Sequence, residues 1–153
     1  MSRQNISGSD AYNMIAPERN GAQLHALYEE IFLDTGICTA DVDYINAHGT
    51  GTLANDGIEV DVLIRGFPHL PLINSTKSLI GHTLGASGAI EAVFTAKSLC
   101  EQTTHVCNNL SEPIADINFV TQVKPERIEV ALSQSLAFGG HNSLLGMRRL
   151  VLE

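Results

Sequence analysis

Two stretches constrain this chain more than any others: Val42–Thr52, reading Val-Asp-Tyr-Ile-Asn-Ala-His-Gly-Thr-Gly-Thr, and Ser75–His82, reading Ser-Thr-Lys-Ser-Leu-Ile-Gly-His. Each is a short β-type run that ends in a glycine-containing turn presenting one histidine, His48 or His82. Strand ends are rigid, and glycine-bearing loops beyond them let backbone approach a ligand closely. Two such turns are the way an α/β protein builds a site, so the remaining elements are read around them.

Leu24, Leu27, Tyr28, Ile31 and Phe32 recur at i, i+3, i+4, i+7 and i+8, the stripe of an amphipathic helix. Asn20 is its expected N-cap, with Gln23 three residues on, and Gly36 its C-terminal cap. Val42–Ala47 reads as a strand and His48–Asn55 as a loop. Asp56, with Glu59 in the capping-box position, opens a second helix to about Arg65 or Gly66. Pro68 and Pro71 break the chain before a short strand, Leu72–Asn74. After the Lys77–Thr83 loop, Ala86, Ala89, Ile90, Val93, Ala96 and Leu99 mark a third helix. Its small first turns, Gly85 to Ala89, permit close packing. Glu101–Pro125 is polar and reads as surface loop. Ile128, Val130 and Leu132 alternate, Leu144–Leu152 is a second strand candidate, and Gly139-Gly140 makes the bend of a closing hairpin. Residues 1–19 hold turn formers and no clear period, and read as a lead-in that lies against something else. The order predicts one mixed α/β layer domain with its core in residues 20–153.

Composition narrows the function. A formal charge of −8 over 153 residues argues against nucleic acid, which needs a basic surface. Cys38, Cys100 and Cys107 form an odd set without metal-type spacing, as expected in a reducing cytoplasm. No apolar run approaches a membrane span and the N-terminus has no signal core, so a cytoplasmic protein is expected.

Several chemistries compete for the two histidines. Gly49-x-Gly51-x-x-Ala54 between strand and helix passes for a dinucleotide-binding turn, but the next strand ends in Asn74-Ser75-Thr76-Lys77 and not in the acidic residue that would hold a ribose. No Gly-Lys-Ser/Thr triplet closes a phosphate loop, and no HExxH or third ligand supports a metal. None of the cysteines sits where a thiol would be activated; Cys100 is near a helix C-terminus, where the dipole raises its pKa. The remaining reading is electrostatic. An ammonium such as Lys77 keeps a neighbouring imidazole neutral, and a neutral imidazole N–H can donate to an oxygen that gains negative charge.

Three motifs occur in a fixed order: His48-Gly-Thr-Gly-Thr52; Ser75-Thr-Lys77-Ser-x-x-Gly-His82-x-x-Gly-Ala-Ser-Gly-Ala-x-Glu91; and Ser133-x-Ser-x-Ala-Phe138-Gly-Gly140-x-Asn142. Together they closely resemble the signatures of the β-ketoacyl synthases of fatty acid and polyketide synthesis. Ser9–Pro17, followed by Gly21, is similar to what precedes them, so the resemblance covers nearly the whole chain. It implies a thiolase-type fold of two similar halves, each a mixed five-stranded sheet with helices on both sides, of which residues 1–153 are the C-terminal half. Residues 1–19 would then pack on the other half.

In that family a cysteine of the other half takes an acyl group from acyl carrier protein. Malonyl carrier protein then loses CO2, and its carbanion attacks the acyl thioester. Carried over by motif, His48 and His82 would support decarboxylation and hold the thioester enolate oxygen. Lys77 would be the charged residue beside His82, and Glu91 the carboxylate that fixes these side chains. The backbone N–H at Phe138 would serve an oxyanion hole, with its ring as a gate. Thr50 and Thr52 would face the phosphopantetheine arm, and Gly139, Gly140 and Asn142 would complete the substrate-binding set. No bound cofactor is implied, since the substrates ride on the carrier's phosphopantetheine. The partners implied are acyl carrier protein, the cysteine-bearing N-terminal half and a second copy in a homodimer.

The departures from the pattern are also informative. The cysteine motif is absent, so this polypeptide alone is not expected to make a carbon–carbon bond. Ala137 stands where glycine is usual, which would stiffen the gating loop. Leu136 replaces a more usual Phe, and His141 the commoner Thr. A non-catalytic partner of the chain-length-factor type is the alternative, and retention of both histidines argues against it.

Overall fold

The computed structural model describes residues 2–150. Five strands form one mixed sheet: β1 (Ser2–Ser9), β2 (Tyr44–Asn46), β3 (Leu72–Asn74), β4 (Val130–Ala137) and β5 (His141–Arg148), in the order β1-β5-β4-β2-β3. β2 runs parallel to both β3 and β4, and the β4–β5 and β1–β5 pairs are antiparallel. The helices are α1 (Ala22–Thr35), α2 (Leu53–Gly66), the single turn α3 (Lys77–Ile80) and α4 (Ser87–Glu101).

Strand alternation divides the interior into two cores. On one face Ile45, Val130, Leu132 and Leu144 pack against Leu24, Leu27 and Ile31 of α1 and Val62 and Leu63 of α2. On the other, Tyr44, Ala131 and Met147 meet Leu99 of α4. Among the described residues no helix is long and apolar enough to cross a membrane.

The sequence-based boundaries need four corrections. Residues 2–9, read as a lead-in outside the core, are the edge strand β1, paired with β5 from Ser2–Arg148 to Ser9–His141. Inward positions do alternate there, but Ile6 is the one apolar side chain among Gln4, Ile6 and Gly8, so no apolar period is visible. α1 is capped by Gly21 in the left-handed region and not by Asn20, whose Oδ1 accepts the Ala22 N–H; Gly36 closes it as expected. α2 starts at Leu53, with the Thr52 hydroxyl accepting from Asn55 N–H, and Glu59 turns into the interior instead of completing a capping box. β5 begins at His141, three residues early, because the tight Phe138–Gly140 turn pairs Ala137 with His141. Residues 151–152 of the expected strand lie outside the described residues.

The strand read from Ile128 begins at Val130, and residues 102–125 form no helix or named strand, as expected. They are not idle: Ile73 N–H donates to Asn118 O and Val120 N–H to Ile73 O, which covers the β3 edge that would otherwise be left unpaired. At the other end, Asp10 N–H donates to Gly140 O at 2.9 Å and Gly139 N–H to Met14 O at 2.8 Å, so the segment after β1 clamps the hairpin turn. Gly140 has φ +76°, and a Cβ there would lie 2.1 Å from Asp10 Oδ1. Gly140→Ala is therefore expected to destabilise the chain by about 1–3 kcal/mol, read as a lowered urea midpoint with unchanged slope.

Candidate functional site

β2 and β3 are parallel neighbours, so the turns that follow them leave the same end of the sheet. This brings the two histidine loops together: the His48 and His82 rings sit edge to face with centroids 5.5 Å apart. Ser75 locks the loops by donating its hydroxyl to Gly49 O at 2.9 Å, and a Cβ on Gly49 would lie 2.5 Å from Ser75 Cβ.

Lys77 begins the one-turn helix α3 and is buried, as is Glu91 on α4. Its Nζ pairs with Glu91 Oε1 and lies 3.0 Å from His48 Nδ1. The hydrogen-bond contact is with His48, a partner that the resemblance, which set Lys77 beside His82, did not name. α3 ends at Gly81 with φ +77°, the bend that leads into His82. Glu91 also accepts from Ser135 Oγ of β4, at 3.4 Å. Burial raises the Glu91 carboxyl above its ordinary pKa, opposed by Lys77 and Ser135. His48 goes the other way: burial, then the charges of Lys77 and His82, push it down to about 3 from 6.5.

These contacts decide which nitrogens carry protons. The Lys77 ammonium has only donors, so His48 Nδ1 accepts and the neutral ring carries its hydrogen on Nε2. His82 Nδ1 accepts the Leu84 N–H at 3.0 Å and faces Ser87 Oγ at 3.2 Å. Leu84 makes the first contact from φ +52°, a left-handed conformation that costs a branched side chain about 1–3 kcal/mol. Neutral His82 is likewise the Nε2–H tautomer. Two imidazole N–H donors therefore stand on one cluster, each with its other nitrogen occupied.

A cleft of about 460 Å³ opens beside His82, lined also by Thr50, Leu53, Lys77 and the loop Cys107–Leu110. The Thr50 and Thr52 hydroxyls are 2.9 Å apart, Thr52 also serving as the α2 cap. Phe138, 75% exposed, and Gly139 form the β4–β5 turn outside this cleft, while Gly140 and Asn142 are buried. Ala137 has φ −123°, ordinary extended backbone, so alanine there introduces no strain. The cysteines are free, and burial raises the Cys107 thiol pKa. Among the described residues no group of three or more His, Cys, Asp or Glu side chains could hold a metal ion.

Sequence reasoning missed three residues of this neighbourhood. Glu59 accepts the backbone N–H of both His48 and Gly49, at 2.7 Å each. Gln134, fully buried on β4, donates to Glu59. Ser87 orients His82. A polar side chain at an inward position of Val130–Ala137, and a serine one helical turn before Glu91, were the available signals.

Residues 1–111 match the β-ketoacyl synthase C-terminal domain. The chain is 41% identical over 150 residues to 3-oxoacyl-[acyl-carrier-protein] synthase 2 of Rhizobium meliloti, covering 94% of this chain and 35% of that one. It is 40% identical over 141 residues to the chloroplastic 3-oxoacyl-[acyl-carrier-protein] synthase I of Hordeum vulgare, covering 89% and 30%. The chain thus spans about a third of the length of these curated relatives. Among solved structures, a β-ketoacyl synthase from Burkholderia phymatum superposes with TM-score 0.89 at 30% identity, covering 96% of this chain and 36% of that one. A ketosynthase complex with its type II acyl-carrier protein gives 0.85 at 29% identity, covering 96% and 38%. The fold is thiolase-like.

The pKa of His48 fixes a pH response. A base whose folded pKa is depressed stabilises the fold fully above its unfolded pKa and loses that stability as pH falls through the window between them. Here the loss runs from about 6.5 towards 3, at about 1.4 kcal/mol per pH unit inside the window. Glu59 and Glu91, raised by burial, carry the opposite sign: their contribution is fully present below the unfolded carboxyl pKa and lost as pH rises through the folded one. The His48 ring is therefore expected to show no proton-NMR titration between pH 8 and 5, while its contribution to unfolding free energy stays constant down to about pH 6.5 and falls below it.

Proposed function

Because the chain belongs to the β-ketoacyl synthase family, as its C-terminal domain, we propose that it supplies the histidine pair for a decarboxylative Claisen condensation of malonyl-carrier protein with an acyl thioester. The observation that carries this reading is that His48 and His82, on rings 5.5 Å apart, each accept at Nδ1, which leaves each Nε2–H to donate.

In the first step the bond from the malonyl α-carbon to its carboxylate breaks. CO2 leaves, and the electron pair spreads over the α-carbon and the thioester oxygen. Two N–H donors stabilise the charge arriving on that oxygen without neutralising it. An imidazolium would instead transfer its proton and quench the carbanion, so the low pKa of His48 suits the task. In the second step the α-carbon attacks the acyl thioester carbonyl, a carbon–carbon bond forms, and the thiolate of the acyl-bearing cysteine leaves.

That cysteine, the acyl carrier protein and a second copy in a homodimer belong to the full-length assembly, of which these residues are about a third by comparison with the relatives. The Phe138 N–H fits an oxyanion donor for the acyl carbonyl, and Thr50 and Thr52 fit contacts to the phosphopantetheine arm. Exposed Met14, Ile15, Leu84 and Phe138 give the N-terminal portion an apolar surface to cover. An intact Lys77–Glu91–His48 cluster favours the catalytic reading over a non-catalytic partner, which has no use for a buried ion pair beside a histidine.

The test is condensation by this chain joined or mixed with an N-terminal portion carrying the cysteine. His48→Ala and His82→Ala are each expected to lower the condensation rate by about 10²–10³-fold while acyl loading of the cysteine persists. Condensation at the parent rate in both variants would show that the chemistry lies elsewhere.

A further inference from the structure

The mechanism above leaves one buried carboxylate unused. Glu59 on α2 is 2% exposed and, among the described residues, has no cationic partner. Its charge is instead met by four N–H donors. Oε1 accepts from the His48 backbone and from Gln134 Nε2; Oε2 accepts from the Gly49 backbone and from Asn55 Nδ2. Gln134 is anchored in turn, its Oε1 accepting the Tyr28 hydroxyl of α1. Burial raises the Tyr28 pKa well above 10, so the phenol remains a donor.

A buried carboxylate without a cation is costly, and packing alone would be served as well by an uncharged side chain. Only a carboxylate accepts from two successive backbone N–H groups and two amides at once. Both backbone groups belong to the residue that carries the imidazole and to the glycine after it. β4 is the link between the two faces of the sheet: Gln134 reaches Glu59 on the α1–α2 side, and Ser135 reaches Glu91 on the α4 side. The backbone of His48 is thus held from one face while its ring is held from the other.

We propose that Glu59, braced by Gln134 and Tyr28, is a positioning residue whose carboxylate sets the His48–Gly49 backbone and thereby the aim of the His48 Nε2–H. The kinetic part of this inference rests on the proposed condensation; the structural part does not. Because Gln134 lies on β4, four residues before Phe138 in the turn that the strand leads into, the brace also keeps the His48 loop in register with that turn.

The experiment compares Glu59→Gln with the exchange Glu59→Gln/Gln134→Glu. The exchange keeps the side-chain types and net charge of the core, and the carboxylate moved to position 134 can still accept from Tyr28 and from the new amide. Position 59 is left with one oxygen for two backbone donors. Hydrogen exchange by NMR on the chain itself is expected to show faster exchange at the His48 and Gly49 amides in both variants, relative to neighbouring amides, while the exchange variant recovers thermal stability towards the parent. In the assembled enzyme kcat for condensation is expected to fall by about 10- to 100-fold with KM for the carrier substrate unchanged. Parent-like protection of both amides in either folded variant overturns the proposal. So does an exchange variant that recovers kcat together with stability, since Glu59 would then serve folding alone. If the parent assembly does not condense, the functional reading fails, and the amide measurement still decides the positioning role.

Discussion

The contact on which the rest of the site depends is the approach of Lys77 to His48 Nδ1 at 3.0 Å, with Glu91 on the other side of the ammonium. A buried ion pair contributes little net stability, yet removing one partner leaves an unpaired charge and costs about 3–5 kcal/mol. Its value here lies in what it does to the histidine. An ammonium against Nδ1 excludes the imidazolium and dictates the tautomer, so a group that would otherwise titrate near neutrality becomes a fixed hydrogen-bond donor. His82 is oriented by different means, with a backbone N–H and a serine hydroxyl at its Nδ1.

The surrounding architecture holds that contact in place. Parallel pairing of β2 with β3 sends both loops off the same end of the sheet, and Ser75 joins them. Behind the loops a polar network fills the α4 face: Asn46 donates to Thr76 Oγ1, Glu91 O and Thr95 Oγ1, and Tyr44 O–H donates to Asn74. Gly88 lets the first turn of α4 come close to β4, since a Cβ there would lie 3.2 Å from Ser135 Oγ. The opposite face carries Glu59, Gln134 and Tyr28. A rigid strand end thus receives support from both layers, as a donor that must not reorganise during a reaction requires.

Much of this was legible in the residues. The glycine turns after two short strands pointed to His48 and His82, the small residues before Ile90 to close helix packing, and the three ordered motifs to the family. Other features were hidden for physical reasons. β1 escaped because an edge strand with a single inward apolar residue has no hydrophobic period. The motif set Lys77 beside His82, and its hydrogen bond to His48 Nδ1 depends on the pairing of β2 with β3, which spacing in the sequence does not show. Glu59 matched a capping-box pattern three residues after Asp56, but Thr52 is the cap, and a pattern cannot reveal that the carboxylate points inward at another loop's backbone. Long-range polar contacts of this kind become visible only once the sheet order is known.

The central claim is that both histidines accept at Nδ1 and donate through Nε2. Nitrogen-15 NMR of the two imidazoles at neutral pH tests it most directly, because protonated and unprotonated ring nitrogens resonate far apart. The account predicts a protonated Nε2 and an unprotonated Nδ1 for His48 and for neutral His82. A proton on Nδ1 of either ring would contradict it, since the Lys77 and Leu84 contacts could not then have the directions assigned here.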